Sequence, residues 1–139
     1  MSHSTITFLG GGNMARAIYG GLVDNGFTET QITVIDPSES AQQQARNLGL
    51  SCVLSAAPET IEDDLLVLAV KPQIAATVLA SLKGKLSVST TVLSIIAGID
   101  SGSLAAMLGL TNTSTIIRCM PNTPSMVNEG MTALLNNDQ

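Results

Sequence analysis

The sequence predicts an α/β fold with a doubly wound, mostly parallel sheet and helices on both of its faces. Short apolar runs alternate with helical patterns along the chain, which is the order of elements that builds such sheets. The run at 65–70 is apolar at every position, as in a central parallel strand buried on both faces. A glycine cluster follows the first run at 10–12. Together these observations predict one Rossmann-like domain over residues 1–139.

The first half of the chain contains four predicted strands. The run at 5–9 ends at the glycines, and apolar residues at helical spacing then predict a helix that stops near Asn25. A second strand ends before Asp36, and Gly49 stops the polar helix that follows it. The strands are expected at 5–9, 32–35, 51–54 and 65–70, and the helices at about 14–25, 39–48 and 58–62.

The second half continues the alternation. A helix is expected after Lys71 and Pro72. The remaining strands are expected at 91–96, 115–119 and 130–135, and the remaining helices at about 73–82 and 102–108. Crossovers between parallel strands are right-handed by default.

Composition limits the functions that the chain can have. Its 139 residues carry a net charge of −5, only 12% charged residues and no block of Lys and Arg. We therefore expect neither a nucleic-acid-binding domain nor a polybasic membrane anchor. The uncharged segment at 86–99 is too short and too rich in Ser and Thr to span a bilayer. The low charge content also leaves apolar surface for a partner to cover.

Nucleophilic and metal-based catalysis lack the residues that they need. His3 is the single histidine and is expected in a frayed tail, so a Ser-His-Asp or Cys-His site has no base. Cys52 and Cys119 lie far apart without zinc-ligand spacing, and we interpret them as buried free thiols in a reducing cytoplasm. We expect no metal site and no catalytic side chain, and a cofactor that carries the chemistry.

The unusual residues of the sequence all follow predicted strands. Ligands of doubly wound sheets bind beyond the carboxyl ends of the strands, where the strand order reverses. The segments at that edge are 10–13, 36–38, 71–72, 97–98 and 121–124. Their convergence is the main indication of a binding site.

The segment from Gly10 to Ala15 has the pattern G-x-G-x-x-A. Gly10 permits a tight turn, Gly12 lets the backbone approach a pyrophosphate, and Ala15 lets the helix pack on the strand. The pattern follows a strand and opens a helix, which favours dinucleotide binding. A glycine-rich turn without a ligand is the alternative.

Asp36 lies about twenty residues beyond the fingerprint. A carboxylate there would accept hydrogen bonds from the adenosine ribose, which favours NAD. The hydroxyl groups of Ser38 and Ser40 could instead hold a 2′-phosphate. Asp36 could also only cap a turn ahead of Pro37. The local residues leave the choice between NAD and NADP open.

Two further loops carry polar candidates. Lys71 could lie against the ribose or the phosphates, or it could be an ordinary solvated lysine. In the loop 120–124, two prolines stiffen a segment whose Asn122 and Thr123 suit the positioning of a nicotinamide or a substrate, with an ordinary turn as the alternative. The acidic residues in 59–64 are interpreted as a solvated helix and turn without function.

The motifs together resemble pyrroline-5-carboxylate reductases. The resemblance lies in FLGGGNMA at 8–15, AVKPQ at 69–73, AG at 97–98, IRCMPNTP at 117–124 and EGMT at 129–132. It implies hydride transfer from NADPH, or less often NADH, to the imine carbon of 1-pyrroline-5-carboxylate, which yields L-proline. The family's usual preference favours NADP, and Asp36 keeps NAD possible.

The resemblance also implies which residues bind the cofactor. The pyrophosphate would be bound by Leu9, Gly10, Gly11, Gly12, Asn13 and Met14. The adenosine ribose or its phosphate would contact Asp36 and Ser38. The path to the nicotinamide would be lined by Ala69, Val70, Lys71, Pro72, Ala97 and Gly98, with Asn122 near the nicotinamide end. An Asn with which some members contact the cofactor corresponds to Ala57 here, which puts that contact in doubt.

Family members carry about as many residues again in a C-terminal helical domain that builds the dimer and most of the substrate pocket. The resemblance therefore implies the cofactor half of a cytoplasmic homo-oligomer, which binds nucleotide but turns over little or nothing alone. Two alternatives are the cofactor domain of a β-hydroxyacid-type dehydrogenase and a non-enzymatic nucleotide-binding module.

Overall fold

The structure is a computed structural model, and it describes residues 5–111 and 115–119. These residues form six strands and four helices in alternation. The strands are β1 (Ile6–Leu9), β2 (Ile32–Ile35), β3 (Cys52–Leu54), β4 (Leu65–Leu68), β5 (Thr91–Ser94) and β6 (Ile116–Arg118). The helices are α1 (Asn13–Asp24), α2 (Glu39–Asn47), α3 (Pro72–Ala80) and α4 (Ser101–Leu108). The strand expected at 130–135 and the expected position of His3 lie outside the described residues.

The six strands form one sheet in the order β3-β2-β1-β4-β5-β6, and every neighbouring pair is parallel. The chain begins at the centre, moves outward to β3, and then crosses to β4 on the other side of β1. The strand order therefore reverses between β1 and β4. This arrangement confirms the doubly wound, Rossmann-like fold.

Helices cover both faces of the sheet, as predicted. On one face α1 and α2 pack over β1 and β2, with Phe8 and Tyr19 in edge-to-face contact at 5.6 Å between ring centroids. On the other face α3 and α4 pack over β4 and β5, around Leu66 and Leu79. All four residues of β4 are buried, so the predicted double-sided burial of this strand is confirmed.

The helix predicted at 58–62 is wrong. Ile61 instead forms an isolated parallel bridge with Leu86, in which the Ile61 N–H donates to the Lys85 carbonyl at 2.7 Å. The bridge buries Ile61 to 2% exposure and pairs its backbone, whereas a helix of five residues would leave most of its own backbone groups unpaired.

Two other expectations need correction. The strands predicted at 65–70 and 91–96 end two residues earlier, and at β5 the reason is local: the Ser94 hydroxyl accepts the Ile96 N–H at 3.2 Å and turns the chain. Cys52 and Cys119 are free thiols, but both are half-buried rather than buried, because each lies at or next to an outer strand of the sheet. None of the described helices is long and apolar enough to cross a membrane.

The two aspartates directly before β4 are connected to the sheet by hydrogen bonds. The buried Thr7 hydroxyl donates to the half-buried Asp63 carboxylate, and the Thr5 N–H donates to Asp64 at 3.0 Å. The buried Thr90 hydroxyl donates to the Asp63 carbonyl at 2.7 Å. These aspartates therefore do not form a solvated helix. They join β1, β4 and β5 at the amino edge of the sheet.

We expect Thr7→Val to lower the free energy of unfolding by about 1–3 kcal/mol, because the half-buried Asp63 carboxylate loses its donor while the side-chain volume is kept. Urea denaturation measures the change. Thr33→Val is the control for the same substitution in the neighbouring strand, since Thr33 pairs with Thr7 across β1 and β2 and is half-buried. Equal losses in the two variants would contradict a specific role for the Thr7 hydroxyl.

Candidate functional site

The reversal point between β1 and β4 is held by close backbone contact. The Ala69 N–H donates to the Leu9 carbonyl at 2.8 Å. Gly10 has a φ of +100°, and a Cβ on it would lie 2.8 Å from the Ala69 carbonyl oxygen. Only glycine fits this position without strain, because L-residues rarely adopt this φ and no space is left for a side chain. The predicted tight turn at Gly10 is confirmed.

The start of α1 is open toward this edge of the sheet. Gly12 is the N-cap, has no side chain to cap the helix, and has nothing within 4 Å of an added Cβ. The first turn carries no acidic residue. Its N–H groups therefore keep the partial positive charge of a helix N-terminus, which suits a phosphate. Asn13 and Met14 are exposed in this turn.

Ala15 faces the opposite way, toward the sheet. It is 1% exposed and belongs to the core between α1 and the strands. The expected close packing of the helix on the strand at this position is confirmed. The whole glycine loop (10–14) is thus buried on its inner side and open on its outer side.

The turn after β2 lies directly against the glycine loop. The Asp36 carboxylate accepts the Gly11 N–H at 2.7 Å through Oδ2 and the Ser38 N–H at 2.8 Å through Oδ1. The Ser38 hydroxyl is the N-cap of α2 and accepts the Ala41 N–H at 3.3 Å. Asp36 therefore does cap the turn, as one of the sequence alternatives had it, and it also binds Gly11.

The loop after β4 leads into α3 at the same edge. Ala69 and Val70 are half-buried, whereas Lys71 and Pro72 are exposed. Lys71 is the N-cap of α3 and makes no side-chain cap, and Pro72 is the first residue of the helix, one position before the predicted start. Lys71 is thus an exposed residue at the carboxyl edge of the sheet, in the loop that follows β4.

The loop after β5 is the next one along this edge. Ala97 and Gly98 are exposed, and Gly98 has a φ of +78°. The loop ends at Asp100, whose carboxylate caps α4 by accepting the Ser103 N–H at 2.7 Å. Of the predicted site residues, Asn122 lies outside the described residues.

Hydrogen bonding from the Ser103 main chain and side chain holds the pKa of Asp100 below its ordinary value, and Arg118 adds to this. A carboxyl whose pKa is lowered by folding stabilises the fold above its unfolded pKa and loses this contribution as the pH falls through its folded pKa. We therefore expect Asp100→Ala to lower the melting temperature at neutral pH. The difference in melting temperature from the wild type should shrink as the pH falls below 3.8, the ordinary pKa of this carboxyl.

Thermal unfolding followed by circular dichroism at several pH values measures this difference. Asp100→Asn is the control, because it keeps an oxygen that can cap α4 but removes the charge. We expect its smaller loss to depend less on pH. An Asp100→Ala variant that melts with the wild type at neutral pH would show that the cap contributes nothing.

Sequence reasoning missed two groups near the site. Gln42 of α2 donates to the Asp36 carbonyl at 2.7 Å, which no local motif predicts. Tyr19 belongs to α1 and is fully buried in the core between this helix and the sheet, and its hydroxyl has no partner among the described residues. Burial raises the pKa of this phenol, although Arg16 opposes the shift. The helical spacing around 14–22 marks Tyr19 as a core position but gives no indication of an unpaired hydroxyl.

In the part of the chain that the structure describes, no group of three or more His, Cys, Asp and Glu side chains could hold a metal ion. The site is instead made of main-chain N–H groups, glycines and a few polar side chains around the β1–β4 crevice. Such a set suits a phosphate-containing ligand.

Comparisons with known proteins agree with this geometry. Residues 5–98 match the family described as NADP oxidoreductase, coenzyme F420-dependent. The pyrroline-5-carboxylate reductase of Haemophilus influenzae is 39% identical over 134 residues, which cover 96% of this chain and 49% of that protein. The chain thus spans about half the length of the curated relatives that it matches.

Solved structures give the same result. A pyrroline-5-carboxylate reductase from Coxiella burnetii is 36% identical with a TM-score of 0.76, covering 89% of this chain and 46% of that one. The Plasmodium falciparum pyrroline carboxylate reductase, solved with NADP bound, is 32% identical with a TM-score of 0.72, covering 91% and 45%. The resemblance found in the motifs is confirmed, and the chain belongs to the NADP oxidoreductase, coenzyme F420-dependent, family.

Proposed function

We propose that this chain is the cofactor-binding half of a reductase that converts 1-pyrroline-5-carboxylate to L-proline with NADPH. The observation that carries the proposal is the open N-terminus of α1 behind Gly12, at the point where the strand order reverses. The relatives at 39% and 36% identity, which are named as pyrroline-5-carboxylate reductases, support the substrate. A β-hydroxyacid-type dehydrogenase remains the alternative that the experiment must separate.

The pyrophosphate would bind at the glycine loop. An added Cβ on Gly12 meets nothing within 4 Å, so this side of the loop has room for a ligand. The N–H groups of Asn13 and Met14 at the start of α1 would donate to the phosphate oxygens. Leu9 at the end of β1 leads into this loop, and the buried Gly10 and Gly11 form its inner side.

The adenosine ribose would lie against Asp36 and Ser38. We favour NADPH over NADH because the Ser38 hydroxyl accepts one bond from α2 and keeps its own hydrogen for a 2′-phosphate. The negative charge of Asp36 is partly compensated by two main-chain N–H groups, which weakens its repulsion of that phosphate. The NADP-bound relative from Plasmodium falciparum supports this preference.

The other loops of this edge would direct the nicotinamide. Ala69, Val70, Lys71 and Pro72 follow β4, and the exposed turn of Ala97 and Gly98 follows β5. Asn122 would contact the nicotinamide end. The cofactor supplies the hydride, and a protonated imine accepts it without a protein base. The residues of this chain therefore bind, orient and shield the reactants, and we propose no catalytic side chain among them.

The whole protein would add what this half lacks. We propose that further chain of the length seen in the relatives completes the substrate pocket and joins two or more copies into a homo-oligomer. The partners of this half are then the small-molecule substrate and further copies of the same protein.

Calorimetric titration of the chain with NADPH and with NADH tests the cofactor site. Calorimetry is preferable to intrinsic fluorescence because the sequence has no Trp and one Tyr. We expect one-to-one binding of both nucleotides, with NADPH the tighter. A folded chain that gives no heat with either nucleotide contradicts the proposed site.

A chimera tests the substrate. This chain would replace the half that it matches in the Haemophilus influenzae relative. Oxidation of NADPH would be followed with 1-pyrroline-5-carboxylate, and reduction of NADP⁺ would be followed separately with a short β-hydroxy acid, both by the absorbance of the reduced nucleotide. We expect activity with the imine alone. A chimera that binds NADPH but reduces no imine contradicts the substrate assignment without affecting the cofactor site.

A further inference from the structure

We propose that Asp36 is a positioning residue that holds the glycine loop (10–14) in its cofactor-binding conformation, and that it does not distinguish NADPH from NADH. The inference rests on the proposed function, because it concerns the same cofactor site. An acidic residue at the end of the second strand is usually expected to bind the ribose hydroxyls directly and so to select NAD. The contacts of Asp36 support a different role.

Both carboxylate oxygens of Asp36 are already bound to the main chain. Oδ2 accepts the Gly11 N–H at 2.7 Å, and Oδ1 accepts the Ser38 N–H at 2.8 Å. The two donors belong to different loops, one before α1 and one before α2. The carboxylate therefore bridges the two loops that face the pyrophosphate and the ribose. Hydrogen bonds to a charged acceptor are the stronger kind.

The backbone of Asp36 is fixed as well. Its N–H donates to the Leu54 carbonyl at 2.9 Å, and its carbonyl accepts from Gln42 Nε2 at 2.7 Å. Asp36 is therefore tied to β3 and α2 in addition to the two loops. A side chain anchored in this way has little freedom to turn toward a ligand, but it is well placed to hold a neighbouring loop.

Gly11 needs this anchor because it lies very close to β2 and α2. A Cβ on Gly11 would lie 3.1 Å from Val34 Cγ1 and 3.3 Å from the Ala41 Cβ, so the loop is already pressed against these side chains. The neighbouring Gly10 N–H donates to the Ile35 carbonyl at 2.8 Å. Without the Asp36 bond, the N–H of the buried Gly11 would lose its acceptor, and the loop would relax away from β2.

Asp36→Asn tests the proposal. The amide keeps the size of the side chain, but its NH₂ group must face either the Gly11 N–H or the Ser38 N–H, so one of the two bonds is lost. We expect the Kd values for NADPH and NADH to rise together by about tenfold, because the loss of one charge-assisted bond disturbs a loop that both nucleotides use. Calorimetry measures both constants.

Ser38→Ala is the matched control. It leaves the Ser38 N–H and the Asp36 bridge in place but removes the hydroxyl proposed for the 2′-phosphate. We expect it to weaken NADPH binding more than NADH binding. The two variants therefore separate positioning of the loop, which affects both nucleotides, from recognition of the 2′-position, which affects one.

A second readout needs no ligand. In the ligand-free chain, the amide proton resonance of Gly11 is expected to move upfield in Asp36→Asn, because the bond to a charged acceptor is weakened, and to stay in place in Ser38→Ala. An unmoved Gly11 resonance would overturn the bridge. A tenfold or greater change in the ratio of the two Kd values in Asp36→Asn would overturn the positioning role, as would unchanged binding of both nucleotides.

The wild-type titration separates this inference from the proposed function. A wild-type chain that binds neither nucleotide contradicts the proposed function, and the role of Asp36 in cofactor binding falls with it. In that case the Gly11 resonance still decides whether Asp36 holds the loop. Wild-type binding together with a changed nucleotide ratio in Asp36→Asn overturns the inference about Asp36 alone.

Discussion

Replacing Gly10 by alanine is expected to lower the free energy of unfolding by about 3 kcal/mol or more, the largest effect of any single substitution that we predict. Two causes act together. The φ of +100° is unfavourable for an L-residue, and the added Cβ would lie 2.8 Å from the Ala69 carbonyl oxygen and 2.9 Å from its carbon. These atoms are backbone at the carboxyl end of β4, where neither strand can yield without breaking its pairing.

Gly26→Ala separates the two causes. Gly26 has nearly the same φ, +102°, but nothing within 4 Å of an added Cβ. It should therefore show only the cost of the backbone conformation, about 1–2 kcal/mol. Urea denaturation of both variants gives the difference, which measures the contact with β4. Equal losses in the two variants would mean that β1 and β4 are not in close contact at Gly10.

Most of the fold could be predicted because its signals are local. A strand buried on both faces is apolar throughout, as β4 is, and the glycines that end α1 and α2 have the positive φ that such stops require. Alternation of strands and helices then restricts the topology to a doubly wound sheet. The order of the strands comes from the structure, because doubly wound sheets occur with more than one strand order.

The helix predicted at 58–62 is absent because the residue pattern that suggested it is local, whereas the contacts that decide the conformation are distant in sequence. Proline, glutamate and a few polar residues there are compatible with a helix start. What decides the conformation is the bridge from Ile61 to Leu86 and the hydrogen bonds from Thr5 and Thr7 to the aspartates that follow. These partners are more than twenty residues away in both directions, so no window of sequence contains them.

In the candidate site, too, the features encoded by neighbouring residues were predictable and the contacts between distant residues were not. The fingerprint from Gly10 to Ala15 and the edge at which it lies were predictable, because a strand–turn–helix pattern places them. The bond between Asp36 and Gly11 joins residues 25 positions apart and depends on how closely the two loops approach. Sequence alone therefore gave Asp36 several alternative roles, and only the geometry adds the bridge to the glycine loop.

Gly12→Ser is expected to separate binding from stability. Serine is a better N-cap than glycine by a few tenths of a kcal/mol, and Gly12 has an extended backbone with φ −72°, which serine adopts readily. A Cβ added at Gly12 meets nothing in the described chain within 4 Å. We therefore expect the free energy of unfolding to stay the same or rise slightly.

The same atoms would occupy the space proposed for the pyrophosphate. The loop can approach the phosphates closely only where it has no side chain, so Gly12→Ser should raise the Kd for NADPH at least about tenfold. Gly20→Ser is the matched control: it adds the same atoms to α1 beside Leu48, away from the loop, and should bind NADPH like the wild type. If Gly12→Ser also bound NADPH like the wild type, the pyrophosphate would have to lie elsewhere, because no ligand could approach this backbone closely and remain unaffected by the hydroxymethyl group.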